Sequence, residues 1–128
     1  METQDIIALI IVYLIIAAAL VLSLLAEKKG WNKDYLRAQL KPVLEFQRKT
    51  GCRIYVGEFS AVAWAPGADA YLRDCIDLFE EYGWDWTYHA FREYAGWSVE
   101  HEGEDAKSLR PAADTPRKRV LLEGFRAK

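Results

Sequence analysis

The sequence predicts an α/β chain in which helices alternate with short parallel strands, preceded by an apolar helix at the N terminus. Three segments repeat apolar residues with a helical period, and short runs rich in β-branched and aromatic residues lie between them. This alternation of helix and strand is typical of βαβ units with a parallel sheet. A long uncharged run near the N terminus is a separate signal.

That uncharged run lies between Ile6 and Ala26. A helix of about 20 residues covers roughly 30 Å, the thickness of the hydrocarbon core of a bilayer, so we predict a transmembrane helix. A secretory signal peptide is the alternative, but it would carry a basic N-terminal region, whereas Glu2 and Asp5 are acidic. We therefore assign residues 1–30 to a single-pass membrane anchor and residues 31–128 to a separate domain.

The distribution of positive charge bears on the orientation of this anchor. No Lys or Arg precedes the apolar run, and four follow it closely: Lys28, Lys29, Lys33 and Arg37. By the positive-inside rule, this bias favours a cytoplasmic position for the following domain.

Three helices are predicted after the anchor, over 32–49, 68–82 and from Thr115-Pro116 onward. Pro42 should kink the first helix or mark a late start. The residues expected on the inward faces are Leu36, Leu40, Val43, Leu44, Leu72, Cys75, Ile76, Phe79, Val120, Leu121 and Phe125. Three basic residues that open the last helix, Arg117, Lys118 and Arg119, are expected to be solvated.

Two strands are predicted between these helices, one from Cys52 into Gly57-Glu58-Phe59 and one over 84–90. Glu58 is an ionisable residue placed where a buried strand meets solvent. In α/β barrels the C-terminal ends of strands carry the working groups, so this position favours a functional role for the Glu58 carboxylate.

Composition excludes several classes of function. The chain has 128 residues, a net charge of −2 and a pI near 5.7, which excludes an electrostatic case for nucleic-acid binding. Two cysteines, Cys52 and Cys75, are too few for a disulfide scaffold and show no metal-ligand spacing with His89 or His101. We expect two buried thiols, no metal and no cofactor.

Three ordered motifs resemble glycoside hydrolase family 5, which includes cellulases: IYVGEFS (54–60), WAPGA (64–68) and GWDWTYHAFRE (83–93). The resemblance runs from about Trp31 to the C terminus. It implies a partial (β/α)8 TIM barrel, made of the last two β/α units with the helix before them. It also implies a β-linked polysaccharide such as cellulose or another β-glucan as the substrate.

The resemblance implies that Glu58 is the nucleophile of a retaining glycosidase. Such an enzyme also needs a general acid/base carboxylate, which the family supplies from an Asn-Glu pair on an earlier strand. No Asn-Glu pair occurs in this chain, and the spacing of Glu93 and Glu100 does not point to a replacement. We therefore expect the isolated chain to be inactive on natural substrates.

Sugar-binding candidates come from the aromatic residues near the strand ends, because sugars stack their apolar faces on aromatic rings. The resemblance favours His89, with Trp97 and Trp64 as further candidates and Trp86 as a residue that fits the core at least as well. His89 also fits a structural histidine. Beside Trp64, Ala63 stands where we expect a basic residue in the family.

Two other classes of function remain open at this stage: a non-catalytic carbohydrate-binding remnant, and a small membrane protein whose soluble part is incidental. A two-strand piece of a barrel would leave apolar surface exposed, so self-association or a complementing barrel fragment is expected. The family also favours an extracellular or periplasmic domain, against the charge bias, and the side of the membrane stays open.

Overall fold

The computed structural model describes residues 32–127. Its elements, in chain order, are helix α1 (Lys33–Thr50), strand β1 (Tyr55–Phe59), helix α2 (Ala68–Tyr82), strand β2 (Asp85–Tyr88), the short strands β3 (His101–Glu102) and β4 (Arg110–Pro111), and helix α3 (Pro116–Arg126). The alternation of helix and strand predicted from the sequence is confirmed. The predicted barrel relationship stays a prediction, because the described residues form two separate two-stranded sheets.

Helix α1 begins and ends with side-chain and backbone caps that its sequence supplies. The Asn32 side chain accepts hydrogen bonds from the backbone N–H groups of Asp34 and Tyr35, and Gly51 ends the helix in the left-handed region with φ 71°. The helix continues through Pro42. Pro42 is exposed, so water can reach the carbonyl group that a proline ring leaves without a donor.

One face of α1 packs on the rest of the domain through leucines. Leu36, Leu40 and Leu44 are partly buried against the core, as predicted. The prediction for Val43 was wrong, since its side chain is exposed. Val43 lies on the edge of the apolar stripe, and the stripe alone does not define how wide the packed face is.

Strands β1 and β2 form a parallel pair connected through α2. Tyr55 pairs with Asp85 and Phe59 with Tyr88, with a register shift between Val56 and Phe59. The first strand begins at Tyr55, later than predicted. The prediction that it is buried was wrong, since Tyr55, Gly57 and Glu58 are exposed and only Phe59 is buried. Among the described residues, β1 pairs with β2 alone, which leaves its other edge uncovered. Parallel pairing brings the C-terminal ends of both strands to the same edge of the sheet.

The core lies between this sheet and helices α2 and α3. All four residues predicted on the inward face of α2 are buried, and Val120 and Leu121 of α3 are buried with them. The prediction for Phe125 was wrong, since its side chain is 54% exposed. Phe125 lies in the last turn of α3, where its ring stacks on Trp86 but stays largely open to solvent. Phe59 makes edge-to-face contacts with Phe79, Trp86 and Tyr88. Such aromatic contacts add to the free energy gained by burying apolar surface.

The two cysteines differ in their environment. Cys75 is buried in the core, and burial raises the pKa of its thiol to about 11. Cys52 is exposed, so the prediction that both thiols are buried was wrong for Cys52. The reason is that the strand starts three residues after Cys52, which leaves this cysteine in the connection from α1.

Within residues 32–127, no helix combines the length and the apolar character needed to cross a membrane. The transmembrane helix predicted between Ile6 and Ala26 lies outside the described residues and stays a prediction.

Candidate functional site

The C-terminal ends of β1 and β2 lie at one edge of the sheet. The predicted site residue Glu58 lies near the end of β1, and the predicted site residue His89 directly follows β2. The backbone N–H of His89 donates a hydrogen bond to the carbonyl of Phe59 over 3.0 Å. This bond joins the residue after Glu58 to the residue after β2. The structure therefore brings together two residues that lie 30 positions apart in the chain.

Glu58 is exposed at this edge. In the part of the chain that the structure describes, no ion pair holds its carboxylate. A carboxylate that is exposed and not paired with a cation keeps its oxygen lone pairs available to a bound molecule.

The backbone beside Glu58 is supported by two hydroxyl groups on the same face of the sheet. The Thr87 hydroxyl donates to the Gly57 carbonyl over 2.7 Å, and the Tyr55 hydroxyl lies 2.8 Å from Thr87 Oγ1. These contacts cross from β2 to β1. They hold the peptide that precedes Glu58 and so restrict where its carboxylate lies.

An aromatic group follows β2. The His89 ring lies with its centroid 5.0 Å from the Trp97 ring, and Tyr94 meets Trp97 edge to face at 5.3 Å. His89 Nε2 also lies 3.4 Å from a carboxylate oxygen of Glu93. Both His89 and Trp97 are half-buried, so each keeps part of its ring open to solvent.

Trp64 packs close to Gly96, which lies in the same segment as Tyr94 and Trp97. A Cβ atom added at Gly96 would come within 3.1 Å of the Trp64 ring and 2.4 Å of the Tyr94 ring, so a side chain there would force the Tyr94 ring to move. The backbone N–H of Ala63 also donates to the Gly96 carbonyl over 2.8 Å. The structure thus brings Trp64 close to the segment that carries Trp97.

Trp86 lies elsewhere, in the core. Its side chain is 6% exposed, its Nε1 donates to a carboxylate oxygen of Glu80 over 2.6 Å, and its ring stacks on Phe125 at 5.3 Å. This placement favours the core interpretation that the sequence had left open. Trp86 is therefore not among the residues that the structure gathers at the strand ends.

The two downstream carboxylates differ in their surroundings. Glu100 forms ion pairs with Arg92 at 3.0 Å and Lys118 at 3.2 Å. Hydrogen bonds from Arg92 and then Lys118 lower the pKa of Glu100, so it is ionised at neutral pH and is a poor proton donor. Glu93 lies nearer the strand ends, beside His89.

Arg117 is the residue that sequence reasoning missed. We predicted a solvated side chain, but Arg117 is 4% exposed and its guanidinium donates to four backbone carbonyls, those of Ala61, Trp97, Ser98 and His101. Burial lowers its pKa. The sequence did contain a signal. A cation in the first turn of a helix interacts unfavourably with the helix dipole, so its presence there indicates that other contacts stabilise it.

Among the described residues, no group of three or more His, Cys, Asp or Glu side chains is placed to hold a metal ion.

No family model matches the chain. The chain is similar over part of its length to endoglucanase C of Acetivibrio thermocellus, with 42% identity over 62 residues. Endoglucanase C307 of Clostridium sp. (strain F1) matches with the same identity and length. The match covers 44% of this chain and 18% of each endoglucanase, so the chain spans less than a fifth of these relatives. This is a partial similarity to cellulase-like glycosidases.

Proposed function

We propose that residues 31–128 are the C-terminal part of a retaining glycoside hydrolase of the family 5 type, with Glu58 as its nucleophile and a β-glucan or cellulose-type polysaccharide as its substrate. The observation that carries this proposal is the exposed Glu58 carboxylate near the end of β1, at the sheet edge where His89 follows β2 and its ring contacts Trp97. The partial similarity to endoglucanases supports the same class of substrate.

In this mechanism a carboxylate oxygen of Glu58 attacks the anomeric carbon of the sugar. The bond to the leaving oxygen breaks as the glycosyl-enzyme ester forms, and water later hydrolyses that ester. Departure of a natural, poorly acidic sugar hydroxyl requires a proton from a second carboxyl group about 5 to 5.5 Å away. Glu100 is held ionised by Arg92 and Lys118, so it does not supply this proton.

Glu93 is a second candidate, because one of its carboxylate oxygens lies 3.4 Å from His89 Nε2. It is exposed and lies after β2, whereas the family provides its acid/base residue from an earlier strand. We therefore keep the proposal that the isolated chain lacks activity on natural polysaccharides. Its acid/base carboxylate would come from the missing part of a barrel.

We also propose that the sheet of β1 and β2 pairs with further strands from another polypeptide. In the described part of the chain, β1 and β2 pair with each other and with no further strand. Strand edges that carry unpaired N–H and C=O groups recruit other strands. A complementing barrel fragment or a second copy of the chain would supply them.

A carbohydrate-binding remnant is the second candidate function. The half-buried rings of His89 and Trp97 favour it, because stacking on a sugar needs ring surface and no second carboxylate. It predicts measurable oligosaccharide binding that Trp97→Ala or His89→Ala weakens, without hydrolysis.

The experiment that separates these functions uses an aryl β-cellobioside whose phenolate leaving group needs almost no protonation. The full chain, Glu58→Gln and the control Glu104→Gln are incubated with it, and phenolate release and protein mass are followed. Release or a glycosyl adduct in the full chain and in Glu104→Gln, but not in Glu58→Gln, supports the nucleophile. No release and no adduct from a chain that circular dichroism shows to be folded overturns the enzyme proposal. Retained oligosaccharide binding would then favour the remnant.

The proposed membrane anchor between Ile6 and Ala26 has its own test. A chain with this anchor stays with the membrane fraction after alkaline carbonate extraction, whereas a variant without residues 1–30 does not. Protease treatment of sealed vesicles then shows on which side the domain lies. Release of the full chain by carbonate would overturn the anchor.

A further inference from the structure

Arg117 connects the two loops that carry the aromatic candidates. Its Nη1 donates to the carbonyl of Ala61 over 2.8 Å and to that of Trp97 over 3.3 Å. Its Nη2 donates to the carbonyls of Ser98 and His101, each over 2.8 Å. Ala61 belongs to the loop after β1, and the other three residues belong to the long connection after β2.

The burial of this cation needs a reason. Among the described residues, no carboxylate pairs with Arg117, so its charge is stabilised by carbonyl dipoles and by the Tyr88 hydroxyl. Burying a charge without a counter-ion costs free energy, and an apolar side chain of similar volume would fill the same space without that cost. The planar fork of a guanidinium matches four carbonyls at fixed angles, which an ammonium group cannot do.

Other contacts converge on the same place. The Tyr88 hydroxyl donates to the Trp97 carbonyl that Arg117 also contacts. The backbone N–H of Ala63 donates to the Gly96 carbonyl, and Trp64 lies against Gly96. The loop after β1 and the connection after β2 are therefore joined at two points, one of which is the Arg117 side chain.

We propose that Arg117 is a positioning residue that holds Trp64 and Trp97 at a fixed separation, so that both rings can contact one oligosaccharide. The sugar-binding part of this inference rests on the proposed function. The joining of the two loops does not, and it is measured separately.

Amide hydrogen exchange on the full chain in detergent tests the joining of the loops. The variants are Arg117→Met, Arg117→Lys and the control Arg119→Met, whose side chain is exposed on the same helix and pairs with Asp114. In Arg117→Met, we expect the amides of Ala63, Trp97 and Ser98 to exchange at least about ten times faster, while those of α2 change much less. Arg117→Lys should lie between wild type and Arg117→Met, and Arg119→Met should match wild type.

Equal acceleration of the α2 amides would show that Arg117 supports the whole core, and no acceleration at the loops would show that it joins nothing. Either result overturns the inference. If Arg117→Met does not fold, the amide exchange rates of Arg117→Lys and Tyr88→Phe test whether Arg117 joins the loops. Tyr88→Phe removes the hydroxyl that contacts both the Trp97 carbonyl and the Arg117 guanidinium, and it should accelerate exchange at Trp97 and Ser98 more than in α2.

Binding of cellotetraose, followed by tryptophan fluorescence, tests the sugar-binding part. The dissociation constant should rise at least about tenfold in Arg117→Met, less in Arg117→Lys and not in Arg119→Met. An unchanged constant in a folded Arg117→Met overturns the positioning role. If the wild-type chain binds no cellotetraose, the proposed function fails, and the exchange data still decide whether Arg117 joins the loops.

Discussion

The backbone N–H of His89 donates to the carbonyl of Phe59, which places the residue after β2 beside the end of β1. Through this bond Glu58 and the aromatic group after β2 share one edge of a two-stranded parallel sheet. Every part of the proposed site depends on this edge.

Trp86 and Trp97 should respond differently to replacement by alanine. Trp86→Ala removes a ring from the core and should lower the free energy of unfolding by about 3–5 kcal/mol. Trp97→Ala should cost less stability, because its ring is half-buried, but it should weaken oligosaccharide binding measured by calorimetry. Urea denaturation and ligand titration check both. A larger stability loss for Trp97→Ala would contradict the assignment of Trp86 to the core.

A side chain at Gly96 should lower the free energy of unfolding. Gly96→Ala would place its methyl group against the rings of Tyr94 and Trp64, and overpacking of this kind costs about 1–3 kcal/mol. Near-ultraviolet circular dichroism and urea denaturation measure the change. Gly57→Ala is the control for stability, since its methyl group would meet the Tyr55 ring at 3.6 Å, an ordinary contact. Equal stability of Gly96→Ala and wild type would argue against this packing.

Leu121 and Leu122 are neighbours on α3 that differ in exposure, 5% against 40%. Leu121→Ala should lower the free energy of unfolding by about 2–5 kcal/mol, because it leaves a cavity under the helix. Leu122→Ala should cost much less. Denaturant titration of the two variants checks the placement of α3. Equal losses would mean that α3 does not pack on the core through Leu121.

Glu100 should contribute to stability in a manner that depends on pH. Its pKa is lowered in the folded state, so its contribution is complete above the unfolded value of about 4.3 and is lost as pH falls through the lower folded value. The difference in unfolding free energy between wild type and Glu100→Gln should therefore be constant near neutral pH and disappear in acid. Denaturation at several pH values measures it. A difference that persists below the folded pKa would contradict an ionic contribution.

The sequence predicted several elements correctly because their signals are local. The inward face of α2 follows from a helical period, the start of α3 from Thr115-Pro116, and the parallel pair from the order of helix and strand. The predicted ends of the strands were less accurate. Cys52 falls outside β1, since strand ends depend on pairing with a partner that the local pattern does not contain.

What the sequence by itself determined is the order of the elements, the inward face of α2, and the position of Glu58 near a strand end. Only the tertiary structure separated Trp86 in the core from Trp97 beside His89, although all three lie in one aromatic stretch. It also showed Arg117 buried among carbonyls from two loops. The physical reason is that periodicity reports neighbours along one helix or strand, whereas burial and hydrogen bonding depend on residues brought together from distant parts of the chain.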